Sequence, residues 1–278
     1  MHSIRVLLVE AQETLQGGDS PRLDAEILLA SLLRSSREYL YANPELVVAP
    51  HLASDFHLLI RQRSTGIPVA YLTGEKEFWS LPLAVSRETL VPRPETESLV
   101  SAALEILPLQ GPASILELGT GCGAIALALA SERRQAAIIA TDLSPEALAV
   151  ARHNAARHGL DNITFIRSDW FSELAGQRFQ LIVTNPPYVN MSDSRMPTDA
   201  IRFEPRLALD GGHGGLESIR RITSASGRHV QHGGTLLLEH GFDQGRDVRE
   251  LFALAGFTEV RTLQDAAGRD RITLGRWP

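Results

Sequence analysis

Near the N-terminus apolar residues recur three and four positions apart, first at Leu7, Leu8 and Leu15 and then at Leu23, Ile27, Leu28 and Leu32. That spacing lines one face of an α-helix and predicts helices here. Asp19-Ser20-Pro21 ahead of Leu23 reads as a helix start, with proline at an early position where a missing N–H is harmless. Asn43-Pro44 and Ala49-Pro50 interrupt the pattern, and a further helix is expected over 53–64. From Ile67 to Pro94 the character changes. Glu77-Phe78-Trp79-Ser80-Leu81-Pro82-Leu83-Ala84-Val85 sets aromatic and branched residues around a turn, the pattern of a β-hairpin. Val91-Pro92-Arg93-Pro94 is too rich in proline for helix or central strand. Helical spacing resumes from Glu95, through Leu99, Val100, Ala103, Leu104 and Leu107.

The remainder alternates strand and helix. Strands are predicted over 114–118, 137–142, 163–167, 181–184, 235–239, 259–263 and 271–275, and helices over 124–131, 145–158, 216–230 and 245–255. Such alternation builds an α/β fold, a mostly parallel sheet with helices on both faces. The last two strands have no helix between them, so an antiparallel pair is expected at the sheet edge.

Composition narrows the class. Of 278 residues, 44% are hydrophobic and 22% charged, the balance of a globular protein. No apolar run approaches the roughly 20 residues that span a bilayer, so no membrane association is expected. The first residues lead into Glu10, Gln12 and Glu13 and not into a small-residue cleavage site, so a signal peptide is not expected. The single cysteine, Cys122, excludes an internal disulfide and a thiolate metal cluster. These features point to the cytoplasm. Net charge is −6, from 27 basic and 33 acidic residues. Grip on a phosphate backbone comes mainly from a basic excess, so no nucleic-acid partner is expected.

The first predicted strand of the sheet runs into Gly119-Thr120-Gly121-Cys122-Gly123 and directly into a helix. Alternate glycines let the backbone turn tightly and approach a ligand without a Cβ in the way. The spacing is neither the G-x-G-x-x-G of dinucleotide sites nor a P-loop; a nucleoside cofactor and a structural turn both fit it. The next strand ends at Asp142, placed to accept the ribose hydroxyls or to serve the following helix start. The third ends in Ser168-Asp169-Trp170, where a carboxylate can accept from an adenine amino group and an indole can cover the ring. Ligands of open α/β sheets sit outside the carboxyl ends of the strands, and all three features fall there.

The fourth strand ends in Asn185-Pro186-Pro187-Tyr188. An amide or aromatic amine nitrogen is a poor nucleophile because its lone pair is delocalised, and it needs positioning more than deprotonation. The Asn185 side-chain oxygen and the Pro186 carbonyl could each accept one N–H of a target NH2, while Pro187 locks the carbonyl direction. The lone pair would then face the methyl of a sulfonium donor, S-adenosylmethionine, with S-adenosylhomocysteine as product. Tyr188 would supply a flat wall or a hydroxyl. Asn185, Pro186 and Tyr188 are thus the candidate catalytic residues, and no metal is required.

With these motifs in place the chain resembles the bacterial release-factor glutamine N5-methyltransferases. The resemblance also runs through Gly66-Ile67-Pro68-Val69-Ala70-Tyr71-Leu72-Thr73-Gly74, Thr89-Leu90-Val91-Pro92-Arg93-Pro94-Glu95-Thr96-Glu97, Arg202-Phe203-Glu204-Pro205 and Leu238-Glu239-His240-Gly241. It implies a Rossmann-like, seven-stranded S-adenosylmethionine methyltransferase domain over 95–278, a β-hairpin linker over 74–94, and a helical domain over 1–73 for substrate recognition. It also implies that the target is the glutamine of a Gly-Gly-Gln tripeptide in class I peptide chain release factors. Under it, Gly119, Thr120, Gly121, Cys122, Gly123, Asp142, Trp170 and Asn185 bind the cofactor, and Asp169 joins them by its place at the strand end. Asn185, Pro186, Pro187 and Tyr188 hold the substrate. A monomer is expected. Where the family often carries Gly-Asp-Val, this chain has Thr198-Asp199-Ala200-Ile201. A ribosomal-protein glutamine and, against the acidic balance, a DNA adenine are the alternative substrates.

Other residues invite roles. Cys122 lacks a neighbouring base and is read as a small loop residue. Glu239-His240 is an acid–base pair or, preferably, a structural strand end. Arg93 either orders a substrate-facing loop or makes a surface ion pair. Asp210-Gly211-Gly212-His213-Gly214-Gly215 reads as a flexible loop.

Overall fold

The computed structural model describes residues 2–192 and 201–278, in two compact units: an N-terminal one through Glu75, joined by residues 201–203, and a larger one from Lys76 onward. Thr198, Asp199 and Ala200 lie outside the described residues.

The first unit holds α1 (Ile4–Thr14), α2 (Pro21–Leu33), α3 (Arg37–Ala42), α4 (Pro50–Ser64) and α5 (Val69–Thr73). Ser3 and Ser36 cap α1 and α3 by accepting backbone N–H groups from Val6 and Tyr39. Pro50 starts α4 instead of breaking the pattern, because the first turn has no intrahelical use for its N–H. Leu7, Leu28, Leu29, Leu40 and Phe56 form the core of this unit. Glu26 of α2 is buried beside it and accepts from Arg22 at 2.8 Å, Arg37 at 2.7 Å and the Tyr41 hydroxyl at 2.7 Å.

The hairpin follows as β1 (Glu75–Phe78) and β2 (Leu81–Ala84). Its turn residues, Trp79 and Ser80, both adopt left-handed backbone (φ 53° and 58°), a conformation hairpins usually give to Asn-Gly. External anchors offset the cost: the Trp79 backbone N–H donates to Glu97 at 3.0 Å, and its indole to Glu132 at 2.9 Å.

Beyond α6 (Glu97–Ile106) comes the sheet: β3 (Ser114–Leu118), β4 (Ala137–Asp142), β5 (Ile163–Arg167), β6 (Phe179–Thr184), β7 (Val230–Glu239), β8 (Thr258–Gln264) and β9 (Asp270–Arg276). Its helices are α7 (Ala124–Glu132), α8 (Pro145–Arg157), the short α9 (Arg206–Leu209), α10 (Glu217–Ser226) and α11 (Gly245–Leu254). Strand order is β5-β4-β3-β6-β7-β9-β8, parallel from β5 through β7, with β9 antiparallel to both β7 and β8. The expected seven-stranded Rossmann-like sheet with an antiparallel edge is therefore present. Central strands are covered on both faces, so Ile115, Leu116, Leu181, Ile182 and Val183 are all buried.

One helix is shorter than its pattern. The expected helix over 216–230 stops at Ser226, because Val230 already pairs with Phe179 as the start of β7. The chain fills the sheet from β3 toward β5 and then crosses to β6 on the other side. The crevice at such a reversal, outside the carboxyl ends of β3 and β6, is where open α/β sheets bind ligands. Among the described residues no helix is long and apolar enough to cross a membrane.

Candidate active site

The glycine loop joins β3 to α7 at this crevice. Its turn is held by Thr120, whose N–H donates to the Thr141 carbonyl at 2.8 Å, and by Gly121, whose N–H donates to Oδ2 of Asp142 at 2.8 Å. Oδ1 of Asp142 accepts from the Ser144 N–H at 3.0 Å. Burial raises the Asp142 pKa while these N–H groups oppose the shift. Each carboxylate oxygen keeps a lone pair for a further donor. Holding the loop and the helix start thus leaves Asp142 acceptor capacity for the binding role expected from the sequence.

A cavity of about 490 Å³ opens here. Of the residues singled out in the sequence, Arg93, Gly119, Thr120, Gly121, Cys122, Asp142, Asp169, Trp170, Asn185, Pro187 and Asp210 line it, whereas Gly123, Pro186 and Tyr188 do not. Gly121 has φ 56°, and a Cβ there would meet nothing within 4 Å. The loop is therefore open toward the cavity at this position. With Asp142 as a hydroxyl acceptor and the Trp170 ring within 3.9 Å of where a Gly119 side chain would begin, the cavity suits a nucleoside. Asp169 sits exposed on the rim and is paired with Arg221 at 2.9 Å, so one of its oxygens is already engaged.

Glu117 enters the lining from the middle of an apolar strand. Its Oε2 accepts from the Thr120 hydroxyl at 2.6 Å and the Ala126 N–H at 3.0 Å, and burial pushes its pKa up to about 8. The Cys122 thiol is buried and pushed up to about 12, the opposite of what a nucleophile needs.

The Asn-Pro-Pro-Tyr segment leaves β6 under tight control. Thr184 donates its hydroxyl to the Leu118 carbonyl at 2.8 Å, tying the segment to the strand that carries the glycine loop. Asn185 Nδ2 donates to the Thr96 hydroxyl at 3.2 Å, and the Tyr188 hydroxyl donates to Glu239 Oε1 at 3.1 Å. The Tyr188 carbonyl accepts from Gln244 at 3.1 Å. With its hydroxyl taken, Tyr188 has a ring face left to offer.

The glycine-rich 210–215 segment is built, not loose. Val189 donates its N–H to the Leu209 carbonyl and accepts the Gly211 N–H, both at 2.9 Å, and side chains at Gly211 or Gly215 would lie 2.8 Å or 2.3 Å from Tyr188 backbone atoms. Only glycine lets it press against the motif. Arg93 forms an ion pair with Glu204, whose carboxylate is buried and also accepts the Val91 N–H at 3.3 Å. Arg93 thereby fastens the proline-rich segment to the turn before α9.

His240 takes no part in acid–base chemistry with Glu239. Its Nδ1 donates to the Gly241 carbonyl at 2.8 Å, which makes Nε2 the acceptor of the Thr273 hydroxyl at 2.9 Å. Burial lowers its pKa. Sequence reasoning missed Thr96, Asn154 and Gln244, whose types carry no signal. It also missed Glu117, for which a carboxylate inside an apolar strand was the available clue.

Residues 99–202 match the family model of the methyltransferase small domain, and residues 7–74 that of the PrmC N-terminal domain. The release factor glutamine methyltransferase of Escherichia coli K12 is 47% identical over 97% of this chain and 97% of its own length. That of Xylella fastidiosa Temecula1 is 44% identical over 100% of this chain and 99% of its own. A methyltransferase structure from Pyrococcus furiosus covers 78% of this chain and 98% of its own with a TM-score of 0.56; at 20% identity it bears on the fold alone. Likeness of this extent and degree means that the chain belongs to the release factor glutamine methyltransferase family.

Proposed function

We propose that this enzyme uses S-adenosyl-L-methionine to methylate N5 of the glutamine in the Gly-Gly-Gln motif of class I peptide chain release factors, with S-adenosyl-L-homocysteine as product. The observation that carries the proposal is an intact Asn185-Pro186-Pro187-Tyr188 at the end of β6, beside the glycine cradle of the neighbouring β3, in a chain 47% identical to a release factor glutamine methyltransferase. We assign residues 1–73 to substrate recognition, 74–94 to a hairpin linker and 95–278 to catalysis. The enzyme is taken to act in the cytoplasm as a monomer.

In this proposal residues 119–123 cradle the cofactor, Asp142 accepts its ribose hydroxyls, and Asp169 and Trp170 meet the adenine. When bound, the cofactor supplies an electrophilic methyl group on a sulfonium centre. Oδ1 of Asn185 and the Pro186 carbonyl accept the two N–H bonds of the target amide, leaving its lone pair facing the donor. Pro187 fixes that carbonyl, and the Tyr188 ring walls the glutamine side chain. The rate gain is then one of proximity and orientation.

Mass spectrometry of an unmodified release factor, incubated with enzyme and S-adenosylmethionine beside a DNA duplex, tests the assignment. One methyl group on the glutamine of Gly-Gly-Gln, with DNA unchanged, is the expected result. Methylated adenine with an unmodified release factor would overturn it.

A further inference from the structure

The turn that leaves β7 carries Gly241 and Gln244, and these two residues bond twice. The Gln244 backbone N–H donates to the Gly241 carbonyl at 2.9 Å, and the Gly241 N–H donates back to Oε1 of the Gln244 side chain at 2.8 Å. A backbone N–H can only donate, so it decides which end of the side-chain amide is the oxygen. Nε2 is thereby turned toward two carbonyls, those of Tyr188 at 3.1 Å and Gly214 at 3.3 Å. An amide NH2 has two protons, and here both are engaged.

The glycine-rich segment leaves room for this contact. A Cβ on Gly215, whose φ is 72°, would lie 2.6 Å from Nε2 of Gln244 and 2.3 Å from the Tyr188 carbonyl oxygen. A side chain there would push the two apart.

Tyr188 closes the Asn-Pro-Pro-Tyr segment and is held at two points. Glu239 takes its hydroxyl and Gln244 its backbone carbonyl, so both holds come from the end of β7 and the turn that follows. Upstream, Thr184 is tied to the Leu118 carbonyl. Only residues 185–187 lie between these anchors, and proline fixes φ at two of them. The direction of the Pro186 carbonyl is therefore set from both sides, and its downstream hold is the Tyr188 peptide.

On the basis of the function proposed above, we infer that Gln244 is a positioning residue, which aims the Pro186 carbonyl and the Tyr188 ring at the target amide by gripping the Tyr188 carbonyl.

Steady-state methylation of an unmodified release factor by the full chain tests this, with cofactor binding followed by calorimetry. Gln244→Glu keeps the shape but sets a carboxylate against the two carbonyls. Protonation returns one O–H donor, and the carbonyl neighbours favour that neutral acid. Near pH 8 its kcat is expected to be about tenfold to a hundredfold below wild type, the cost of a misaligned reacting group, with cofactor Kd within about threefold. Near pH 6 the deficit relative to wild type is expected to shrink by about threefold or more, as the donor returns. Gln244→Met, which has no donor at any pH, should show a similar loss of kcat and no recovery. A residue that only stabilised the fold would give no such recovery on acidification. Should Gln244→Glu fail to fold, the kcat and cofactor Kd of Gln244→Met decide the question. Wild-type kcat in Gln244→Met, or a Gln244→Glu deficit that is the same at both pH values, would overturn the inference alone. A wild-type enzyme inactive on the release factor would overturn the substrate assignment and this inference with it.

Discussion

Asn154 donates its side-chain N–H to the carbonyl of Cys122 at 2.9 Å, reaching from α8 into the glycine loop. The same amide exchanges two bonds with Ala84 of β2, accepting its N–H at 2.8 Å and donating to its carbonyl at 3.0 Å. Asn154 is fully buried, so one side chain ties hairpin, helix and glycine loop together. Asn154→Ala strands three backbone groups. It is expected to cost about 1–3 kcal/mol of stability and to weaken cofactor binding, read by urea denaturation and calorimetry. A variant as stable as wild type would show that the Cys122 and Ala84 groups find other partners.

The Arg93–Glu204 pair makes an asymmetric prediction. Glu204 is buried and Arg93 partly exposed, so removing the arginine leaves a buried carboxylate whose strongest partner is gone. Arg93→Ala is expected to destabilise by roughly 2–4 kcal/mol, below the cost of breaking a fully buried pair because solvent reaches the arginine. Glu204→Gln keeps an acceptor for the Val91 N–H and should cost less. Equal thermal midpoints for the two variants would contradict this ordering.

Much of this was legible in the sequence because the fold writes itself in periodicity. Parallel strands buried on both faces appear as short apolar runs such as Ile115-Leu116 and Leu181-Ile182-Val183, and the glycine loop and Asn-Pro-Pro-Tyr mark the ends of two of them. The networks behind the site were not legible. Asn154 sits in an ordinary amphipathic helix, and its partners Ala84 and Cys122 are distant in sequence, so nothing local distinguishes it from a surface asparagine. Gly211 and Gly215 read as flexibility because glycine signals both freedom and close approach, and only the nearby Tyr188 backbone separates the two. Pro50 was read as a break for a similar reason: proline stops a helix from within and starts one from its first turn.

Asp142 offers a separate test of the cofactor cradle. It accepts from Gly121 and Ser144 with different oxygens, so Asp142→Ala removes a loop anchor along with the proposed ribose acceptor. Asp142→Asn can still accept through one oxygen. Cofactor Kd is expected to rise about tenfold or more in the alanine variant and less in the asparagine variant, since bonds to charged groups contribute about 1.5–3 kcal/mol. Unchanged affinity in Asp142→Ala, measured by calorimetry, would remove Asp142 from the cofactor site.

Two buried carboxyls near the site give stability an unusual dependence on pH. Burial raises Glu117 to about 8, with Thr120 and the Ala126 N–H opposing and Asp142 adding to the shift. Burial raises Glu239 to about 7, with Thr96, Tyr188 and Arg271 opposing and Glu95 adding. Each holds its proton more tightly folded than unfolded, where a glutamate titrates near 4.5. Between those values the folded state binds more protons, so the contribution of each group to stability falls as pH rises, by at most about 1.4 kcal/mol per pH unit. The loss begins above pH 4.5 and is complete for Glu117 once the pH passes about 8. Burial lowers His229 and His240 below their ordinary 6.5, which acts in the opposite sense but only below that value. In the window from about pH 7 to 8 Glu117 therefore carries most of the remaining loss, and Glu239 a smaller share. Urea midpoints of the wild type should decline across it, while those of Glu117→Gln, which lacks that titrating proton, should decline less. Parallel declines in the two proteins would mean that Glu117 is already ionised in the folded state at pH 7.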